Sequence, residues 1–452
     1  MFDTRHIDPF WKGLQSCEPY RPAADWLLES PYHRPTDLSA LPVETLDEPL
    51  RPDTLLTQRS LVLNRLLFNI YQQNNLYLPE GRFSEADTRA FQGFYAPQFV
   101  AANALVRPAL DRTCFDFLSR EISVDGPWTI EHLEEYCTRL LADYEATPSD
   151  LCLRIEASPH PQQAARAYLV QLAVDFLAEA SQMALALPGN YGPAQSEMMK
   201  IFIDEFGYGV HQKKHSTLFV KTIESVGLSA RMHTYYYWYL PSSLLLTNYF
   251  FWTTVHKPSW FESLGGLYWA EAVNPYFHRR FGQLLKKVFG REKTDTGYFD
   301  EHAGIDLHHR RMAFDKLMRP MVRQYGDAVI PAMVRGIETY RLLGDLTERD
   351  FLAQMDFCDA LLTGGAAASG PVDLSLAEER PRGFLLEPRV CDVDTVVAVA
   401  RGEVEVDAGY LQPRRLGAGE AVRVPAGRMV GARVVSEGAR LSVAPERPVG
   451  RG

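Results

Sequence analysis

His302, Asp306 and His309 are the residues whose types and spacing most directly suggest chemistry. They lie in Tyr-Phe-Asp-Glu-His-Ala-Gly-Ile-Asp-Leu-His-His, residues 298–309, at intervals of four and then three. On an α-helix those intervals bring the three side chains to one face, within about 40° of each other at roughly 100° per residue. Two imidazoles and a carboxylate converging on one point form a set that binds iron, manganese or zinc. Such a trio could instead be an N-terminal helix cluster satisfied by ion pairs, but further candidate ligands upstream weigh against that.

Glu271, in Tyr268-Trp-Ala-Glu-Ala-Val-Asn, falls on an otherwise apolar helical face beside Leu267 and Trp269. A carboxylate there is costly unless it is paired or bound to metal. Glu205 and His215 bracket Glu-Phe-Gly-Tyr-Gly-Val-His-Gln-Lys-Lys-His, and ten residues of straight helix would hold them roughly 15 Å apart. Gly207 and Gly209 supply a break that lets two short helices approach one centre. If that break falls differently, His211 replaces His215. Glu179, in Asp175-Phe-Leu-Ala-Glu-Ala, sits on another expected helix and taken alone reads equally as half of an ion pair. Otherwise His211, His233, His256, His278 and His308 read as surface or core histidines; His308 points about 100° away from His309. The candidate ligands are thus Glu179, Glu205, His215, Glu271, His302, Asp306 and His309. Four carboxylates and three imidazoles suit two iron ions about 3–4 Å apart with bridging carboxylates. Hard oxygen and imidazole donors without thiolates favour iron or manganese over an iron–sulfur cluster. No catalytic residue beyond these ligands stands out.

The elements that must position them are helical. Residues 1–158 form a helical N-terminal region with proline-rich entry segments, in which Leu55–Leu76 and Thr129–Thr147 have helical spacing; this region is a candidate for dimerisation. The Pro-His-Pro at 159–161 closes it. Residues 159–362 form a second helical domain, with helices expected over Gln162–Ala186, Gly192–Phe206, Gln212–Val226, Leu244–Val255, Trp260–Phe289, Asp300–Arg323 and Asp327–Gly344. A linker at 363–380 contains the small-residue run Gly-Gly-Ala-Ala-Ala-Ser-Gly-Pro at 364–371. Residues 381–452 show period-two runs between Gly and Pro, the pattern of a small β domain. Within it Leu416-Gly-Ala-Gly-Glu-Ala-Val-Arg-Val-Pro-Ala-Gly427 resembles a cupin motif. The aromatic run Tyr235–Tyr239 could line a pocket, although helix packing is the commoner use of such a run.

Composition sets outer limits. The chain has 452 residues, 46% hydrophobic and 23% charged, with a net charge of −10. Those values are ordinary for a globular protein, and without a basic stripe they argue against nucleic acid. No apolar run reaches the roughly 18 residues of a membrane helix. The N-terminus shows no signal-peptide pattern, and the six cysteines contain no C-x-x-C pair. Reduced thiols in a cytoplasm are therefore expected.

The H-x-x-x-D-x-x-H helix, with Glu179, His215 and Glu271 on earlier elements, resembles the pattern of the heme-oxygenase-like di-iron oxidases. Glu205, ten residues before His215, resembles the additional carboxylate of their N-oxygenating branch, and the three-part layout is similar to members of that branch. The likeness covers residues 160–357 well and the N-terminal region in outline. It implies a mainly α chain: a heme-oxygenase-like bundle with a helical N-terminal region and a small C-terminal cupin-like β domain. It also implies two Fe(II) ions held by the seven residues, O2 as co-substrate and a small-molecule amine as substrate. Since no flavin or nicotinamide fingerprint is evident, it implies an external electron donor. The expected reaction converts an amine nitrogen of an amino acid or derivative to an N-hydroxy or nitro group, in natural-product biosynthesis. In that chemistry O2 bridges the irons as a peroxo-diferric species, and Glu205 adds charge at one iron. Three-part members also carry a histidine-ligated iron in the cupin that performs an N-nitroso rearrangement. This chain has no histidine after residue 309, so its β domain is expected to lack metal ligands and to serve structure or a homodimer. Two alternatives stay open: a di-iron oxidase cleaving or desaturating an amino or fatty acid, whose members generally lack the Glu205 carboxylate, and a non-catalytic iron-binding protein.

Overall fold

Two glycines set how closely the longest helices pack. Trp260–Phe289 crosses Ile330–Thr363 where a Cβ on Gly265 would lie 1.9 Å from the Met333 carbonyl oxygen. A Cβ on Gly336 would lie equally close, 1.9 Å, to the Glu262 carbonyl oxygen. Any side chain at either position would force the backbones apart. Gly297–Met312 packs against the same long helix and continues through a π-helical stretch, Ala313–Met318, into Arg319–Tyr325. The computed structural model describes residues 6–17, 20, 31–32, 38, 41–79, 81–368 and 374–446. Among them, no helix is long and apolar enough to cross a membrane. The expected 363–380 linker falls partly outside the described residues, as do parts of the N-terminal region.

Most expected helices lie close to their sequence-derived bounds, and two differ informatively. The one expected over Gln162–Ala186 stops at Phe176, turns at 177–180, and resumes as the short Ser181–Ala184. At the break the backbone turns on i→i+3 bonds, Ala178 N–H to the Asp175 carbonyl and Ser181 N–H to the Ala178 carbonyl, and the Asp175 carboxylate accepts a hydrogen bond from Gln182 across the turn. Ala180 takes a left-handed conformation there, at φ 65°. The last helix runs to Thr363, well past Gly344. A glycine inside a helix costs about 1 kcal/mol, which burial of Phe351, Leu352, Met355, Phe357 and Cys358 outweighs.

Among the described residues, eight antiparallel strands follow the helices: β1 (Glu378–Arg380), β2 (Leu385–Val390), β3 (Thr395–Arg401), β4 (Val404–Asp407), β5 (Arg414–Leu416), β6 (Ala421–Val424), β7 (Met429–Val434) and β8 (Ala439–Pro445). They form two four-stranded sheets, ordered β1-β8-β3-β6 and β2-β7-β4-β5. Alternate residues such as Val397, Val399, Val404, Val406, Val422, Val424 and Val434 are buried and pack in one apolar cluster with Tyr168, Phe281 and Phe351 of the helices. The β domain and the helical domain thus share a core.

Two polar clamps seal that junction. Gln354 donates to the Ala408 and Met429 carbonyls at 2.7 and 2.8 Å and accepts from Met429 N–H at 2.9 Å. Arg65, on Gln58–Gln72, is 1% exposed. It pairs with Glu387 at 2.6 Å and donates to the Tyr237 and Pro388 carbonyls at 2.7 and 3.1 Å. It docks where the β2–β7 register shifts between Leu386 and Arg389. The aromatic run belongs to this junction: Tyr235, Tyr236, Tyr237 and Tyr239 are buried and pack in the same apolar cluster, and none of them lines the cavity beside Glu179.

Candidate metal centre

The break between Glu205 and His215 occurs at Gly207. Pro193–Glu205 ends at the glutamate, two short 3-10 turns follow, and His215–Ser225 begins at the histidine. Gly207 has φ +63°, and a Cβ on it would lie 2.4 Å from Lys214 N. The reversal brings Glu205 Oε2 within 2.7 Å of His215 Nδ1. His211, the alternative, is exposed, as are His256 and His308, whereas His233 and His278 are buried.

Two groups of ligand atoms converge. Glu179, Glu205, His215 and His302 each offer one atom within 4.8 Å of the others, and Glu205, Glu271 and His309 do the same. In the first, His302 Nε2 lies 3.0 Å from His215 Nδ1, 3.2 Å from Glu179 Oε1 and 3.8 Å from Glu205 Oε2. In the second, His309 Nδ1 lies 3.3 Å from both Glu205 Oε1 and Glu271 Oε2. Glu205 therefore turns one oxygen to each group, where the sequence suggested an extra carboxylate at one iron. Glu179 comes not from a helix but from the turn after Phe176, with Tyr298 OH donating to its Oε1 at 2.7 Å. Asp306 is fully buried, its Oδ1 3.7 Å from His309 Nδ1, yet it falls outside both groupings.

The outer ring nitrogens show which lone pairs face inward. His302 Nδ1 is 2.9 Å from the Tyr298 carbonyl oxygen, and His309 Nε2 is 3.1 Å from Asp204 Oδ2. In the neutral imidazole each pairing puts the N–H on the outer nitrogen and leaves the inner lone pair for a metal, the arrangement that orients metal-bound histidines. Asp204 was not singled out from the sequence. Its one available signal is adjacency to Glu205, which puts it roughly 100° away on the same helix.

The electrostatics describe a place built for cations. Burial pushes the Glu205 carboxyl up, but the imidazoles of His215, His302 and His309 facing its oxygens outweigh it and hold the group well below the ordinary range. Burial pulls the imidazoles down, yet Glu179 and Asp306 hold His302 well above its usual value, and Glu271 with Glu205 pushes His309 up to about 11. Asp306 is held well up by burial first, with Glu271 and Glu205 adding to it. His278 goes the other way, well below the usual imidazole range, through burial and the neighbouring His302. Glu179 Oε2, both Asp306 oxygens and His309 Nδ1 are buried without a hydrogen-bond partner. Orphaned donor atoms facing one another in a dry interior are costly, and metal ions at these places would satisfy them. Hard oxygens plus imidazoles, with no thiolate, fit iron.

A cavity of about 490 Å³ reaches Glu179 from the other side. Asp175, Glu348, Asp345, Arg280 and Arg341 are among its lining residues. Burial, helped by Glu179, pushes Asp175 up to about 7. Burial, helped by Asp345 and Asp150, does the same for Glu348, also to about 7.

Fold and centre together define an iron-containing redox enzyme, and the family model of that description matches residues 166–341. The chain belongs to this heme-oxygenase-like family. It is 38% identical over 430 residues, 92% of this chain and 90% of the relative, to the nitrosourea synthase of Streptomyces achromogenes subsp. streptozoticus.

Proposed function

We propose that the chain is a non-heme di-iron N-oxygenase, using O2 to oxidise an amine nitrogen of an amino acid or derivative to an N-hydroxy or nitro product in natural-product biosynthesis. The observation that carries this reading is Glu205, whose two oxygens face two separate carboxylate–histidine groups at 2.7 and 3.3 Å. Glu179, Glu205, His215 and His302 would hold one iron. Glu271, His309 and the shared Glu205 would hold the other, with Asp306 beside them. The similarity to a nitrosourea synthase supports a nitrogen atom as the site of oxidation. Bound iron with O2 supplies the oxygen atom and the oxidising power, and electrons come from an external donor.

The chain's own residues have distinct tasks. The Tyr298 carbonyl and Asp204 fix the ring orientations of His302 and His309. Tyr298 OH holds Glu179 at the boundary between centre and cavity. The cavity's arginines are turned to other partners, Arg280 to the Glu145 carbonyl and Arg341 to Glu338. Its carboxyls therefore lack full compensation, which suits a basic substrate better than a fatty chain. Asp175, a turn away from Glu179, is placed to hold a substrate ammonium and accept its proton, so that the nitrogen reacts unprotonated.

The test is mass spectrometry of iron-loaded protein given O2, a reductant and amino acids, with lysine and arginine derivatives first. Products gaining oxygen on nitrogen are expected. Oxygen found only on carbon, or ferric oxide accumulating beyond two irons per chain, would refute the reading.

A further inference from the structure

His278 has no evident reason to be a histidine. It is completely buried, and neither ring nitrogen has a hydrogen-bond partner. Phe176, Phe277, Tyr298, Phe299 and His302 surround the ring, with centroids 4.6 to 5.9 Å away. A phenylalanine would fill such a setting without leaving two buried polar atoms unpaired, which is costly.

Its position supplies the reason. His278 lies seven residues after Glu271 on Trp260–Phe289, two turns along and on the same face. Its Nδ1 is 3.8 Å from Asp306 Oδ2, while Asp306 Oδ1 faces His309 Nδ1 at 3.7 Å. Asp306 thus turns one oxygen to the centre and the other to His278, and neither oxygen has a hydrogen-bond partner. Closing the gap by about 1 Å would give an N–H···O⁻ bond of normal length and pair Nδ1 with Oδ2. Pro275, between Glu271 and His278, lacks the N–H that would bond the Glu271 carbonyl and so loosens the helix at this point.

We propose that His278 is the positioning residue for Asp306, donating its Nδ1–H to Oδ2 and so directing Oδ1 to the iron held by Glu205, Glu271 and His309. This rests on the di-iron reading, and it adds a residue to the centre that touches iron only through Asp306.

Anaerobic titration of the full-length chain with iron(II) tests it, using variants whose fold is verified by circular dichroism. His278→Phe keeps the packing and removes the donor; His278→Asn restores an N–H near the Nδ1 position. His278→Phe should bind one iron as the wild type does and the other about tenfold more weakly or worse, the usual scale for losing such a partner. His278→Asn should recover most of that loss. Combined with Asp306→Ala, His278→Phe should add no further weakening, because it acts through Asp306. Equal affinity in His278→Phe and wild type would overturn the assignment. So would a defect that adds to that of Asp306→Ala, which would make His278 an independent ligand. A wild-type chain taking up two irons while the variants show either of these patterns would reject the His278 role alone. A wild-type chain taking up none would reject the di-iron reading together with it.

Discussion

The oxygens of Glu205 point to opposite halves of the centre, so this residue should matter to both metal ions. Glu205→Ala is expected to weaken both irons in an anaerobic titration, whereas His302→Ala should remove mainly the one it shares with Glu179 and His215. A Glu205→Ala protein that keeps two tightly bound irons would show that it is not shared. Asp175 makes the complementary case from the cavity side. Asp175→Asn should leave iron content unchanged and raise KM for an amine substrate about tenfold or more, the scale of a lost charged hydrogen bond. At this scale the sequence was most legible where candidate ligands share one helix. The spacing of His302, Asp306 and His309 is a local property, and the structure gathers the three on one buried face. The partner role of Asp204 and the placing of His278 against Asp306 were not legible, because each depends on residues brought together from distant parts of the chain.

Among the elements, glycine carries the most specific consequences. Gly207→Ala would press a Cβ onto Lys214 N in a conformation unfavourable to side chains. Calorimetry should show destabilisation of about 1–3 kcal/mol, and iron titration should show a weakened site at His215, which starts the next helix. Gly207→Ala with wild-type iron affinity would mean that His215 does not depend on this turn. The break between Glu205 and His215 was readable from the glycines themselves, since few other residues take positive φ readily. The turn that presents Glu179 was hidden, because apolar spacing continues across it, and the Asp175–Gln182 hydrogen bond that spans it joins residues whose pairing periodicity does not reveal.

For the molecule as a whole, buried carboxyls predict a pH trend in the metal-free protein. Burial pushes Asp111 up to about 7 against the opposing hydrogen bond from Tyr71, and Glu348 is likewise raised to about 7. Between their unfolded values near 4 and about 7, the folded state binds more protons than the unfolded one. Their contribution to stability is complete below pH 4 and lost as pH rises through about 7. Lowering pH from 8 to 6.5 should therefore raise the melting temperature, by about 2 °C for a chain of this size; a fall would contradict the burial of these groups. The change from helices to C-terminal strands was legible from composition, but the shared core was not, since alternation marks a strand without naming its neighbour. One consequence concerns synthesis. Arg65 and Glu387 are 322 residues apart, so a ribosome adding about 5–20 residues per second needs roughly 15–60 s to make the second after the first. Throughout that interval the N-terminal helices carry a guanidinium meant for a dry interior with its acidic partner still unmade. Nascent chains halted before the β domain should consequently be cut readily by protease near Gln58–Gln72, and become resistant only once the last strands have left the exit tunnel.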